Sequence, residues 1–249
     1  MSSTPVTTRP MSLTRRSLTA LLLGLAVSLL SACSAPVLQP EQAGGLKRMG
    51  VVSLLPGELA YDKIGITVFN NEFATRPVGD GFNVAARDAA ERFLLARHKT
   101  VVQLPVDVAP LAQRMRSAVI VWDSSAEAIR PELVELARQH RLDAIVLIAE
   151  NHDGDQGRRG VRAFLRAGMG DIRAAEARAD IKVLVLDPNA RLMAWQADRG
   201  VSALTRADGA PWAYQLESNL DEPTHVEAAT TMLRLIRSTV ASQLSTMGF

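Results

Sequence analysis

Six consecutive residues, Ala144-Ile145-Val146-Leu147-Ile148-Ala149, carry no polar side chain. A strand with one face in water alternates apolar and polar positions, so a strand that is apolar at every position has to be covered on both faces. A central sheet strand with helices on either side meets that demand, and it sets the expected fold class as α/β, with α+β as the variant.

The flanking sequence supplies the other layers. Met49–Leu55 is apolar and β-prone and ends at the turn signal Leu55-Pro56-Gly57. Ile64–Phe69 alternates as a second strand should, closed by Asn70-Asn71. From Asn83 to His98 the period changes: Ala86, Ala89, Ala90, Phe93 and Leu94 recur at helical spacing behind Asn83 as a cap. Thr100–Leu104 and Ala118–Trp122 are short strand candidates, and Pro105 and Pro110 limit what lies between them. Leu133, Val134, Leu136 and Ala137 follow Pro131 as a further helix. Ala177, Ala179, Ile181, Val183 and Val185 alternate with Arg178, Asp180, Lys182 and Leu184, predicting a strand with one buried and one largely wet face. Asp187-Pro188-Asn189-Ala190 turns it into a partner over Arg191–Val201. A long helix opened by Asp221-Glu222-Pro223 closes the chain, with a stripe at Val226, Ala229, Leu233, Ile236, Val240, Leu244 and Met247, and Gly248 beyond it. One domain over residues 47–249 is expected: a mixed sheet with helices packed on it and a long C-terminal helix.

The N-terminal residues have a different grammar. Arg9, Arg15 and Arg16 precede an uncharged apolar stretch from Leu18 to Leu30, then small residues. A membrane-crossing helix needs about 20 predominantly apolar residues, and this stretch is shorter, so it reads as an export signal. Leu30-Ser31-Ala32-Cys33 resembles the lipobox of bacterial lipoproteins. The resemblance implies a thioether-linked diacylglycerol on Cys33, cleavage between Ala32 and Cys33, and acylation of the new amino group. Residues 1–32 are then a signal peptide, and the partner of Cys33 is a lipid bilayer. Ser34 stands where, in enterobacterial lipoproteins, an aspartate signals inner-membrane retention, so the expected address is the periplasmic face of the outer membrane. Thr14-Arg15-Arg16-Ser17-Leu18 looks partly like a twin-arginine export signal, but the match stops after Leu18. Residues 34–46, with Pro36, Pro40, Gly44 and Gly45, read as a flexible tether.

Removing the signal changes the charge. The chain has 28 basic and 26 acidic residues, and residues 1–32 hold three of the basic ones and none of the acidic. The remainder is near neutral and carries no basic patch interleaved with aromatics, so nucleic acid is not an expected partner. Cys33 is the only cysteine, so no internal disulfide staples the domain and its core has to stabilise it.

The search for a catalytic constellation returns absences. The sequence has no glycine-framed nucleophile serine, no P-loop, no histidine pair at zinc spacing and no CxxC, and Gly168-Met169-Gly170 lacks the rest of a dinucleotide fingerprint. Past the buried strand, Glu150–Gly160 places His152, Asp153 and Asp155 where ligands gather in open sheets, a donor set able to hold a divalent cation. Asn151-His152-Asp153 looks like one fragment of a metallophosphoesterase signature, but its companion motifs are missing. A solvated loop, with Gly and Asp serving turn geometry, is the preferred reading, and Asn70-Asn71-Glu72 is read the same way. His98 and His140 end predicted helices, where a cation favours the dipole. Trp122, Trp195 and Trp212 are read as core. No cofactor, metal or catalytic residue is assigned.

A helix-covered sheet on a lipid tether is similar in outline to periplasmic α/β domains of lipoproteins of the curli-secretion and peptidoglycan-synthase-activator type. The resemblance implies a non-enzymatic role, docking onto another envelope protein or onto copies of itself. A metal-dependent phosphoesterase or hydrolase using the 151–155 loop is the alternative. A small-ligand-binding lipoprotein serving a transporter ranks third, because the chain is short for two lobes around a cleft.

Overall fold

The computed structural model describes residues 36–117, 126–151, 160–169, 172–206, 209, 212, 216 and 220–249. Its frame is an eight-stranded mixed sheet of β1 (Arg48–Leu54), β2 (Glu58–Ile64), β3 (Glu72–Pro77), β4 (Thr100–Gln103), β5 (Ala144–Glu150), β6 (Gly160–Ala167), β7 (Ile172–Leu186) and β8 (Leu192–Ala203). The registers explain its layout. Along one edge of β7, Ile181 pairs with Glu150 and the next residue, Asp180, pairs with Gly160. β5 and β6 are therefore one line of strand interrupted at 151–159, while β8 occupies the other edge of β7. β1 and β2 repeat the pattern next to them, β1 parallel to β5 and β2 parallel to β6, with a break at residues 55–57. β4 adds in parallel outside β1, and β3 adds antiparallel outside β2.

Side chains at the breaks close the backbone groups that the ladder leaves open. Asn83 Oδ1 accepts the Leu55 N–H at 2.8 Å and its Nδ2 donates to the Leu55 carbonyl at 3.0 Å. Gln243 Nε2 donates to the Ile181 carbonyl at 2.9 Å, and the Asn151 N–H donates to the Asp180 carbonyl at 2.8 Å. An unpaired buried amide costs about 1–3 kcal/mol, which makes these short breaks tolerable only with such partners.

Among the described residues, five α-helices cover the sheet: α1 (Pro40–Gly45), α2 (Gly81–Leu95), α3 (Val108–Ser117), α4 (Arg130–His140) and α5 (Glu222–Thr246). Met49, Val51, Val146, Ile148, Ile181 and Val183 face α1, α2 and α5 in one core, while Val52, Leu54, Ile145 and Leu147 face α3 and α4 in a second. β5 is buried at each of residues 144–149, as its unbroken apolar run demands. Asp221 caps α5, its carboxylate accepting the Thr224 N–H at 3.0 Å. The turn after β7 forms as expected: Asp187 Oδ1 accepts the N–H groups of Asn189 and Arg191, both at 2.8 Å.

Several expectations are corrected. Ile64–Phe69 is not a strand; β2 ends at Ile64, and a 3-10 turn fills Val68–Asn70. Gly65 is the cause, because a Cβ there would lie 2.7 Å from the Asn70 carbonyl oxygen, so the chain folds back where the alternation ran on. Asn83 does not cap α2, which begins after Asp80; its amide serves Leu55 instead. α3 forms although Pro110 lies in it, because a proline in the first turn removes an N–H that has no helical partner. β3 and β6 were not anticipated. In α5 the buried stripe runs through Ala228, Met232 and Ile236, leaving Leu233 half-buried and Val226 exposed. The candidate strand 118–122, with Trp122, lies outside the described residues.

The tether is the largest correction. From Pro36 onward the segment packs: Leu38, Ala43 and Leu46 are buried. The Pro36 carbonyl accepts the Trp195 N–H at 3.3 Å and the Leu38 N–H donates to the Met247 carbonyl at 3.0 Å. Pro40 starts α1 and Lys99 Nζ donates to the Ala43 carbonyl at 2.5 Å, closing its last turn. Its proline and glycines are helix punctuation here, and three spaced apolar side chains are enough to fasten it.

Candidate functional site

Cys33 and Ala32, the proposed lipidation and cleavage residues, lie outside the described residues, as do His152, Asp153 and Asp155. Beside Glu150 and Gly160 the structure places a line of charge across the sheet. On β2, β6, β7 and β8 the face opposite α5 carries Asp62, Arg162, Asp180 and Arg199. Arg162 Nη2 lies 3.0 Å from Asp180 Oδ2 and its Nε lies 4.0 Å from Asp62, while Arg199 Nε donates to Asp180 Oδ1 at 2.7 Å. Arg162 is 2% exposed and Asp180 1%. The expected wet face of β7 is therefore dry in its middle, because charges on adjacent strands neutralise one another there. Next to them Arg178 stacks 3.6 Å above the Phe164 ring and bonds Glu176.

A second polar group holds β2 and β3 to the chain before α5. Lys63, 1% exposed, pairs with Glu72, which also accepts the Leu216 N–H at 2.8 Å. Burial pushes the Glu72 carboxyl up, but the hydrogen bonds from Lys63 and Leu216 and the lysine charge outweigh it and hold the group below the usual carboxylate range. Glu72 is thus a counter-ion, not the solvated loop residue expected. Nearby, the Tyr61 hydroxyl and His225 Nδ1 share a hydrogen bond of 2.8 Å, and His225 Nε2 lies 3.3 Å from the Pro77 carbonyl, which can only accept. Burial keeps that phenol protonated, well above its usual range. These groups satisfy one another and lock elements together.

Among the described residues no three His, Cys, Asp or Glu side chains are placed to hold a metal ion, and no helix is long and apolar enough to cross a membrane. Two open cavities lie by the 103–110 segment. One of about 620 Å³ is lined by Asp80, Arg87, Asp88, Glu91 and Asp107, the other of about 540 Å³ by Pro105, Leu111, Arg114, Pro131 and Leu136. Among the described residues no serine, cysteine or histidine lines either. His98 lies beyond α2 at φ 59°, and His140 is the last residue of α4. Trp212 is in the core and Trp195 half-buried.

Among the large exposed apolar residues, Val37, Val84, Leu95, Val201 and Val226 are spread over several segments, while four others gather at one end of the sheet. Phe69 (94% exposed), Ile66 (63%) and Phe73 lie at or beside the β2–β3 connection, and Met169 (85%) lies in the neighbouring β6–β7 connection. Sequence reading missed this tip because it took Ile66 and Phe69 for strand residues; the glycine at 65 was the available signal.

The arrangement defines a class: a mixed-sheet α/β domain with charged side chains paired inside its strands and an exposed apolar tip. No protein-family model matches the sequence, and no curated protein matches it. Solved structures align over most of its length. The PelC dodecamer from Paraburkholderia phytofirmans is 13% identical, covering 82% of this chain and 93% of that one at a TM-score of 0.31. Lipoprotein GNA1162 from Neisseria meningitidis is 12% identical over 80% and 99%, at 0.33. The LpoB C-terminal domain from Salmonella enterica is 9% identical over 72% and 93%, at 0.24. At such scores the likeness decides neither fold nor function.

Proposed function

We propose that this chain is a lipid-anchored protein of the bacterial envelope, acylated at Cys33 on the periplasmic face of the outer membrane, whose domain docks onto another envelope protein without catalysing a reaction. The opposition of its two ends carries the reading. Pro36, three residues after Cys33, is already hydrogen-bonded beside Trp195, low on β8. The apolar tip lies at the other end of the sheet: from Leu184, paired with Trp195, to Ile172, paired with Ala167, the strand runs about 40 Å at roughly 3.3 Å per residue. Exposed Phe69, Ile66 and Met169 lie on that scale from the end where the anchor joins, clear of the headgroups when the domain stands on that end, and aromatic and methionine side chains are the types enriched in protein interfaces.

Photocrosslinking from Phe69 and Met169 in intact cells tests this. A discrete adduct with one other envelope protein is the expected result, lost when Phe69 and Ile66 are replaced by Ser. Adducts only between copies of the chain would move the reading to self-assembly, and no adduct from either position would remove the docking role. The hydrolase alternative has no described observation in its favour.

A further inference from the structure

The end of the domain nearest the anchor carries an uneven set of charges. Lys47 and Arg48 start β1, Arg97 and Lys99 precede β4, Arg141 follows α4 and Arg191 opens β8. All six lie at one end of the sheet, because Thr100 pairs with Arg48, Ala144 with Met49, and Leu192 with Leu186 at the strand starts. Arg97 is already engaged, its Nε donating to the Phe249 main-chain oxygen at 3.0 Å; the carboxylate side chains among them are Glu41, Asp143 and Asp187, and two accept from backbone: Asp143 from the N–H groups of Lys47 and Arg48, both at 2.8 Å, and Asp187 from those of Asn189 and Arg191. Glu127–Arg130 and Glu135–Arg138 at this end neutralise themselves. Lys47, Arg48, Arg141 and Arg191 are exposed. Lys99 is buried, and burial first, then the nearby Lys47 charge, lowers its pKa against the opposing pull of the Asp143 carboxylate.

We infer that this basic end rests on an anionic bilayer surface and fixes the orientation of the domain on the membrane. The inference rests on acylation of Cys33. Ser34 and Ala35 are the only residues between that cysteine and Pro36, and three residues reach about 10 Å at most, the Debye length at about 0.1 M salt. An end held so close to the headgroups is within range of their field, and clustered Lys and Arg beside a membrane anchor are drawn to anionic lipid. The apolar tip is then directed away from the bilayer.

The test uses the acylated mature protein in vesicles of phosphatidylcholine alone and of equal parts phosphatidylcholine and phosphatidylglycerol, with a headgroup-bound nitroxide quencher. A fluorophore is placed at Gln139→Cys, on the basic end, or at Met169→Cys, on the tip. Quenching at 139 but not at 169 is expected in the anionic vesicles, falling towards the level at 169 in high salt and in the Lys47→Glu, Arg141→Glu, Arg191→Glu variant. The salt titration of the unsubstituted charges stands even where that triple variant does not fold. Equal quenching at 139 in both vesicle types, or none, with acylation confirmed by mass, overturns the orientation alone. A Cys33 without acyl chains overturns the anchor and the orientation with it.

Discussion

Glu72 is the residue whose charge the fold uses most visibly. Its carboxyl is held below the usual range, so its contribution is complete above the unfolded carboxylate pKa and is lost as the pH falls through the lowered folded value. Urea unfolding of Glu72→Gln should therefore show a stability gap to wild type that is widest near neutrality and closes in acid; a gap independent of pH would mean the ion pair with Lys63 is not formed. Asp180 makes a harsher test. Asp180→Ala leaves Arg162 buried with its main counter-charge gone and should cost about 3–5 kcal/mol, whereas Arg199→Met, at a guanidinium one-third exposed, should cost about 1 kcal/mol. Equal losses at the two positions would mean the charge line is not organised around Asp180. At His152 and Asp153, read as loop residues, replacement by Ala should change stability by less than about 0.5 kcal/mol and bound metal not at all. Metal lost with His152→Ala would restore the hydrolase reading.

Elements were legible where one rule acted alone. β5 announced itself because being covered on both faces leaves no room for a polar residue, and the turn at Asp187 because its side chain makes its own hydrogen bonds. Where long-range partners decide, the pattern misled. Asn83 has the chemistry of a cap, but its amide completes a broken strand 28 residues away. β6 was missed although Val161, Ala163 and Leu165 alternate with Arg162 and Arg166 as in a half-wet strand, and that its Arg162 is buried could not be read before β7 brought Asp180 beside it. The α5 stripe was displaced by a residue in its first half, since the helix crosses from His225 beside β3 to Gln243 beside β8 and each end meets different neighbours. Denaturation of the α5 variants reads this directly: Ile236→Ala should cost about 2–5 kcal/mol and Leu233→Ala about half as much or less. The packed entry segment gives a similar contrast, because Leu38→Ala should cost about 2 kcal/mol or more where a free tether residue would cost almost nothing. Loss-free substitution at Leu38 would return the segment to a tether. Of the residues proposed to function, only Cys33 was read from the sequence; the apolar tip and the basic end each collect residues from separate elements, and no linear pattern marks such a gathering.

At the scale of the molecule, anchoring is the claim with most at stake. Two or more acyl chains give stable attachment, at about 0.8 kcal/mol per buried CH₂, so the protein should stay in the membrane pellet through high-salt washing and leave it in detergent. Cys33→Ser removes the thiol that takes the lipid, and precursor or soluble protein should accumulate in its place. A mature form that begins at any other residue would end the lipoprotein reading. If the anchor and the tip are both occupied, the interrupted double lines of β1–β2 and β5–β6 acquire a mechanical meaning. A pull between the bilayer and a partner at the tip runs along the strands, while the rungs of a ladder stand across them, slanted where the strands are parallel. The chain from the anchor to Phe69 runs through β1 and β2, which share rungs with β4 and β5 and with β3 and β6, so the load is taken by many rungs in shear at once and not by one at a time as in unzipping. A domain joined at its two ends in this way is built to transmit tension without opening.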